Sequence, residues 1–384
     1  MKIIHISDLH IGKRVGEFNM LEDQEHILHQ ILKLTDEVRP VAVIIAGDIY
    51  DKSVPAGEAV EILDNFLTEL VSRKIQLFIV SGNHDSPERL NFGSRIMQTN
   101  GVHIAGTFAG GLKPISIQDE LGPVNVYLLP FIKPAMVRQY FTENDIQSYD
   151  EAVAAVINSV PVNLDERNIL VAHQFITNGS QQPERSESET ISIGGLDNIE
   201  VSIFAPFDYV ALGHLHGPQC IGRETVRYAG SPLKYSFSET RQHKSITVIE
   251  LFKKGNIDIK TIELMPLHDM REIKGPIEEL VNINDPAFEA SRDYIRAILT
   301  NEGEVYDAIG QLRRCYPNIM RIDFENRRSK QNILSKTAAS GDVTSKSPIE
   351  LFSEFYANQN NMEITNEQHC ILNEIIEQVG GVTK

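Results

Sequence analysis

At 384 residues the chain exceeds what a single hydrophobic core usually serves, so more than one domain is expected. With 41% hydrophobic and 23% charged residues it can bury a core, which excludes a disordered or fibrous class. A net charge of −17 argues against a free-standing nucleic-acid binder; affinity for such a polymer would need a local basic surface or a partner chain.

Cys220, Cys315 and Cys370 are odd in number and far apart, which fits neither a disulfide framework nor a thiolate zinc site and points to a reduced, cytoplasmic protein. The opening MKIIHISDLH is too polar for a signal peptide, and no window reaches the about 18 apolar residues that span a bilayer.

In chain order, the first short β-branched run, residues 3–6, reads as a buried strand and leads into Asp8 and His10. Residues 21–38 place Ile27, Leu28, Ile31, Leu32 and Leu34 at helical spacing and stop before Pro40. A second run, 41–46, leads into Gly47 and Asp48. A second helix over 57–73 carries Val60, Leu63, Phe66, Leu67 and Leu70. The third run, 77–80, meets Gly82, Asn83, His84 and Asp85, completing a β-α-β-α-β order. Runs at 124–129, 169–172 and 209–212 follow; the last two meet His173 and then Gly213, His214 and His216.

Segment 177–192, TNGSQQPERSESETIS, is polar and aperiodic and is expected to be a solvated surface loop, with substrate contact as the alternative because it follows His173. Residues 270–326 alternate strand-like and helix-like patterns and form a second, small α/β unit. Residues 331–348 are linker-like. Two short amphipathic helices close the chain, one with Leu351, Phe352, Phe355 and Tyr356 and one with Ile371, Leu372, Ile375 and Ile376. They either fold back on the body or bind a partner.

Five apolar strands thus end on candidate metal ligands, the place where α/β sheets gather functional groups, and one layered sheet would bring all five together. Histidine mixed with carboxylate favours a transition metal over an all-oxygen ion such as magnesium or calcium. The set Asp8, His10, Asp48, Asn83, His173, His214 and His216 is too large for one four-coordinate ion and suits two ions sharing a carboxylate, with Asp48 as the bridge. Such a pair hydrolyses phosphoesters. His84, beside the metals without binding them, could stabilise the transition state or protonate the leaving oxygen, and Asp51, three residues after the bridge, could orient that ring by a hydrogen bond. Glycines 47, 82 and 213 suit the sharp turns before the ligands.

Any one of these residues alone would be an ordinary turn or surface group; the joint pattern carries the reading. Lys13, Arg14 and Arg89 either grip phosphates of a substrate or are solvated charges. His5, His26, His29, His103, His243, His268 and His369 have no companion motif and are read as structural.

Through DLH at 8–10, GD at 47–48, GNHD at 82–85, His173 and GHLH at 213–216, the chain resembles the calcineurin-like metallophosphoesterases. Within that superfamily HISDLHIGK, GDIYDKSVP, SGNHDSPERL and AGSPLKYSFSE are similar to the D subunits of bacterial SbcCD nucleases, over most of residues 1–250. The resemblance implies an α/β metallophosphoesterase sandwich at 1–265, a small α/β domain capping DNA at 266–328, a linker at 329–348 and a helical tail at 349–384. It implies one ion on Asp8, His10, Asp48 and His216, another on Asp48, Asn83, His173 and His214, and His84 as the catalytic histidine. Some members of the broader family carry histidine where this chain has Asp51.

It further implies a manganese-dependent exonuclease on double-stranded ends and endonuclease on single strands and hairpins, serving DNA repair, recombination and replication. Members of that family work in an ATP-dependent complex with the coiled-coil ATPase SbcC, docked here through the terminal helices, as a homodimer within a heterotetramer. This chain has no G-x-x-x-x-G-K-[ST] segment and so is not expected to bind ATP itself. Two competing functions stay open: a stand-alone phosphatase or cyclic-nucleotide phosphodiesterase with the same metals, and a structural subunit with a vestigial site.

Overall fold

Runs of isoleucine, valine, leucine and alanine become the strands of two sheets. The computed structural model describes residues 1–179, 182–189, 197–282 and 292–326, together with scattered positions between 349 and 375. In chain order the principal strands are β1 (Lys2–Ile6), β2 (Ala42–Ala46), β3 (Gln76–Val80), β4 (Val102–Ala105), β5 (Ile115–Asp119), β6 (Gly122–Leu129), β7 (Arg167–His173), β8 (Tyr209–Gly213), β9 (Gln219–Ile221), β10 (Arg223–Tyr228), β11 (Ser245–Leu251) and β12 (Ile257–Glu263). Three helices pack on them: α1 (Leu21–Val38), α2 (Gly57–Ser72) and α3 (Tyr149–Asn158).

One six-stranded sheet has the order β12-β11-β1-β2-β3-β4, and the other β9-β10-β8-β7-β6-β5. At the centre of each, β1 through β4 and β6, β7, β8 and β10 run parallel. Side chains alternate along each strand. Ile3, Ile44 and Phe78 of the first sheet therefore meet Val126, Val171 and Tyr209 of the second in the central core. On the outer face of the first sheet Ile4, Val43 and Leu77 pack under Ile27 and Ile31 of α1 and Leu63 and Phe66 of α2. On the second, Tyr127, Leu170 and Val210 pack under Val153 and Val156 of α3. The result is an α-β-β-α sandwich.

The five motif-bearing strands are therefore divided between two sheets, and the expected single sheet is corrected. Strands buried on both faces read as unbroken apolar runs, which record no face and no sheet membership. Helix α2 buries Ala59, Leu63, Phe66 and Leu70, whereas Val60, placed on the core face by spacing, is 45% exposed. Helix α3 begins at a capping box in which Ser148 and Glu151 satisfy each other's backbone N–H groups.

Contacts separate the chain between Arg271 and Glu272. Strands β13 (Met270–Gly275), β14 (Tyr294–Leu299) and β15 (Ile319–Phe324) form a three-stranded sheet. With helix α4 (Ala308–Arg313) they enclose Ile277, Ile295, Leu299, Leu312 and Tyr316 in a core of their own. The expected linker, 329–348, lies outside the described residues, as do Leu351 and Ile376 of the expected tail. Phe352, Phe355, Ile371 and Ile375 are exposed. No helix among the described residues is long and apolar enough to cross a membrane.

Candidate metal centre

Each candidate ligand lies at or just beyond the carboxyl end of a parallel strand, where the sheet stops and the chain must turn. The turns are sharp. Asp8, His10, Asp48 and His214 all take positive φ, at 54°, 45°, 50° and 108°. Side chains rarely adopt that conformation, and it persists only where surrounding bonds impose it. Here Asp8 N–H donates to the Gly47 carbonyl at 3.0 Å and His10 N–H to the Asp48 carbonyl at 2.9 Å. The Asp48 and Asp8 carboxylates in turn accept from the N–H of His84 at 2.9 Å and of His214 at 3.0 Å. Three glycines are obligatory: a Cβ on Gly47, φ 86°, would lie 2.2 Å from His173 Nδ1, one on Gly82 would lie 2.1 Å from Asp48 Oδ1, and one on Gly213 would lie 1.8 Å from the Ala46 carbonyl oxygen.

These turns bring all seven candidate ligands together. On one side His10 Nε2 faces His216 Nε2 at 3.1 Å, with a carboxylate oxygen of Asp8 within 4.8 Å of both rings' donor atoms. On the other, His173 Nε2 lies 3.1 Å from Asn83 Oδ1, and His214 Nδ1 lies 2.9 Å from the same oxygen. Asp48 Oδ2 stands between the two sides, 3.6 Å from His10 Nε2 and 3.3 Å from His173 Nε2.

The ring orientations suit cation binding. His173 Nδ1 contacts the Ala46 carbonyl at 2.8 Å; a carbonyl only accepts, so Nδ1 carries a proton and Nε2 is the nitrogen turned inward. His216 Nδ1 lies 2.8 Å from Ser188 Oγ, whose own hydrogen goes to Glu239 Oε1 at 2.6 Å. Ser188 has one hydrogen to give, so His216 Nδ1 must donate to it, and its Nε2 faces the cluster with a lone pair. Buried nitrogen and carboxylate donors converging in this way fit divalent cations.

The charges within the metal-free cluster are rearranged. Burial, reinforced by Asp48, pushes the Asp8 carboxyl up to about 8. Burial alone would lower His173, but the Asp48 carboxylate outweighs it and raises the ring to about 9. The reciprocal attraction holds Asp48 well below the carboxylate range against its own burial. Burial lowers His214 to about 3 and depresses His10 and His216.

His84 packs edge-on against His10 with ring centroids 4.8 Å apart, and its Nδ1 donates to the Asp51 carbonyl at 3.1 Å. Its ring also falls within ligand distance of His10 and Asp48. The Asp51 carboxylate accepts from Lys13 at 2.7 Å and lies 3.8 Å from His10 Nδ1. Asp51 thus holds the His84 ring by a hydrogen bond, through its main-chain carbonyl and not its carboxylate. Asp85 organises that turn: its carboxylate accepts from the N–H of Ile49, Tyr50 and Gly82 at 3.1, 3.0 and 2.9 Å. Lys13 also sits over the Tyr235 ring, 5.5 Å from its centroid. Arg14 donates to the Glu17 carbonyl within its own turn, and Arg89 is exposed on the short helix Pro87–Asn91. Of the set-aside histidines, His5 is buried and its Nδ1 meets Tyr209 Oη at 3.0 Å, while His103 stacks on Phe78.

Segment 177–192 departs from expectation. Ile176–Thr177 pairs with Ile199–Glu200, Ser186 and Glu189 are buried, and Glu189 accepts from His216 N–H at 2.7 Å. Its described part is therefore packed against the cluster and is not a solvated excursion. Behind His216, buried Lys244 donates to Glu239 at 2.7 Å and to the His216 carbonyl at 2.8 Å. Sequence reading missed Ser188, Glu189, Glu239 and Lys244. One signal was available: Lys244 immediately precedes the apolar strand β11, and a lysine leading into a buried strand needs a carboxylate partner.

Beside the cluster lies a cleft of about 330 Å³ lined by Asn83, His84 and His214 and by Phe131, Tyr149 and Asp197 among others.

Residues 1–218 match the calcineurin-like phosphoesterase family, and residues 266–360 match the family described as type 5 capsule protein repressor C-terminal domain. The chain is 33% identical over 326 residues to the D subunit of the nuclease SbcCD from Staphylococcus epidermidis, covering 84% of this chain and 85% of that protein. A solved structure, a dimetal phosphatase from Danio rerio, aligns with a TM-score of 0.41 at 12% identity, over 70% of this chain and 98% of its own. The chain belongs to the calcineurin-like phosphoesterases and, within them, to the family of SbcCD nuclease D subunits. It is a hydrolase of phosphodiester bonds, a metal-dependent nuclease that uses divalent metal ions.

Proposed function

We propose that this chain cuts DNA as the nuclease component of an ATP-dependent complex with an SbcC ATPase, using two divalent cations, with manganese as the ion used. Asp8, His10, Asp48 and His216 would hold one cation, and Asp48, Asn83, His173 and His214 the other. The observation that carries this reading is the position of Asp48 Oδ2, 3.6 Å from His10 Nε2 and 3.3 Å from His173 Nε2, a carboxylate oxygen that both halves share. Bound there, divalent cations supply Lewis acidity to phosphate oxygens and make water nucleophilic at neutral pH.

The protein's own groups do the rest. His84, with Nδ1 committed to the Asp51 carbonyl, transfers a proton to the leaving oxygen through Nε2. The carbonyl of Asp51 positions that ring, and Lys13 holds the segment through the Asp51 carboxylate. Arg14 and Arg89, both exposed, supply phosphate contacts.

Residues 1–265 act as the nuclease domain, 266–328 cap the DNA, 329–348 link and 349–384 dock SbcC, with two copies of this chain in a heterotetramer. The relative's name makes it one component of a complex, SbcCD, and the net charge of −17 fits a chain that shares its DNA grip with a partner. The widely spaced cysteines fit a reduced, cytoplasmic setting.

The test is manganese-dependent hydrolysis of a DNA hairpin and of a small aryl phosphodiester by the co-purified complex, with wild-type chain and with His84→Gln. Faster cutting of the hairpin is expected, with a loss of ~10²–10⁴-fold in the variant at unchanged metal content. Equal rates in both chains would remove the His84 assignment, and preference for the aryl diester would favour a small-substrate phosphodiesterase. Deleting 349–384 should abolish co-purification with SbcC.

A further inference from the structure

The apolar stripe of α1 is interrupted in its first turn. Positions 24, 27, 28 and 31 share one face at helical spacing, and Ile27, Leu28 and Ile31 fill the core there, yet position 24 is a glutamine only 3% exposed. An amide buried that deeply costs stability unless its hydrogen bonds are made, so its partners identify what it serves. They all belong to, or lean on, the turn that carries Asp8 and His10. Gln24 Oε1 accepts from Gly12 N–H at 2.9 Å, and its Nε2 donates to the His10 carbonyl at 2.7 Å. A backbone N–H only donates and a carbonyl only accepts, so the amide has a single possible orientation. The second Nε2 hydrogen goes to Tyr235 Oη at 3.0 Å, with the Leu9 carbonyl beside it at 3.3 Å, and Tyr235 Oη gives its own hydrogen to that carbonyl at 2.5 Å.

The turn needs such a hold. Asp8, His10 and Gly12 take φ of 54°, 45° and 89°, so the backbone is left-handed at three positions in five, two of them bearing candidate ligands. Main-chain carbonyls of residues 47–49 secure one side of it, through the N–H groups of Asp8, His10 and Ile11. Gln24 secures the other, reaching in from a helix. Tyr235 extends the hold to a second ligand, its ring standing edge-on to His10 at 5.6 Å and to His216 at 5.8 Å between centroids. We infer that Gln24 is a positioning residue for the cation half built on His10 and His216, fixing the backbone at His10 and, through Tyr235, the packing of both imidazoles. The inference rests on the two-cation reading and deepens it. Among the described residues no hydrogen bond or ring contact of Gln24 or Tyr235 reaches Asn83, His173 or His214, so the other half is independent of them.

The test titrates the metal-free full-length chain with manganese by calorimetry, alongside hairpin cleavage by the co-purified complex. Gln24→Leu suits the apolar stripe of α1 but removes every bond to the turn. It should weaken one cation site about tenfold and leave the other within about twofold. Hairpin cutting should fall about tenfold at limiting manganese and recover at excess, a recovery that a general loss of fold does not allow. Tyr235→Phe keeps both ring contacts and deletes only Oη; a loss of about threefold at the same site is expected, and this variant decides alone where Gln24→Leu fails to fold. Two sites at wild-type affinity in the variants, or equal losses at both sites, would overturn the role. Wild-type chain that takes up two cations and leaves the hairpin intact sinks the DNA reading alone. Wild-type rates from Gln24→Leu at limiting manganese sink the positioning role alone.

Discussion

His173 and His216 both send Nε2 into the cluster, but they are held there by different means. His173 is the last residue of β7 and is fixed by the carbonyl of Ala46, main chain from the opposite sheet. His216 is fixed by Ser188, Glu239 and Lys244, side chains from three separate segments. The first arrangement is part of the sandwich itself, since no substitution at Ala46 removes its carbonyl. The second is removable one side chain at a time. The His216 half is thus open to tuning by mutation, whereas the His173 half is as durable as the contact between the sheets.

The largest effect should come from the residue both halves share. Asp48→Asn should lower hydrolysis by ~10³-fold or more and weaken cation binding in both halves. A two-site metal titration that retained one site at wild-type affinity would show that Asp48 serves only one. Next, Gly47→Ala attacks the durable half through its backbone. A methyl 2.2 Å from His173 Nδ1, at a φ of 86°, should cost about 2–3 kcal/mol in urea unfolding. Wild-type stability would show that the two sheets can shift apart at this point.

Ser188→Ala cuts the other half more gently. It removes the link to His216 but leaves the Glu239–Lys244 pair intact, whereas removing Glu239 would strand a buried lysine. A loss of about tenfold in affinity is expected at one cation site only, read by calorimetry. Equal losses at both sites would mean that the halves are not independently supported.

The smallest effect is in pH. In the metal-free chain Asp8, at about 8, and His173, at about 9, hold protons at neutral pH that a cation must displace. Metal affinity should therefore rise with pH up to about 9, with heats of binding that depend on the buffer's ionisation enthalpy. Both folded values lie above the ordinary ones, so the stability these groups add to the metal-free chain is full in acid and is lost as pH rises through 8 and 9. Melting temperature and metal affinity should move in opposite directions across that range. Parallel movement would place the displaced protons elsewhere.

The same contrast explains what could be read from sequence. Strands β1, β2, β3, β7 and β8 were legible because each is a β-branched run ending on a ligand-type residue, and α1 because its apolar spacing is regular. Their division between two sheets was not, since runs buried on both faces carry no alternation to mark a face. His173 was visible as a motif, but its anchor on a main-chain carbonyl has no sequence signature. The support of His216 was hidden for another reason: Ser188 sits in a polar stretch indistinguishable from a solvated loop until Glu239 and Lys244 fold against it. Helix α3 was missed although Ser148 and Glu151 spell a capping box. That Asp51 serves His84 through its carbonyl was not legible, because sequence spacing cannot tell whether side chain or main chain meets the neighbouring ring.

The left-handed turns at Asp8, His10, Asp48 and His214 set folding against chemistry at the same four positions. At each of these corners glycine would relieve backbone strain of about 1 kcal/mol or more. Glycine there would also delete a candidate ligand, so a more stable chain is obtained at these positions only by dismantling the cluster.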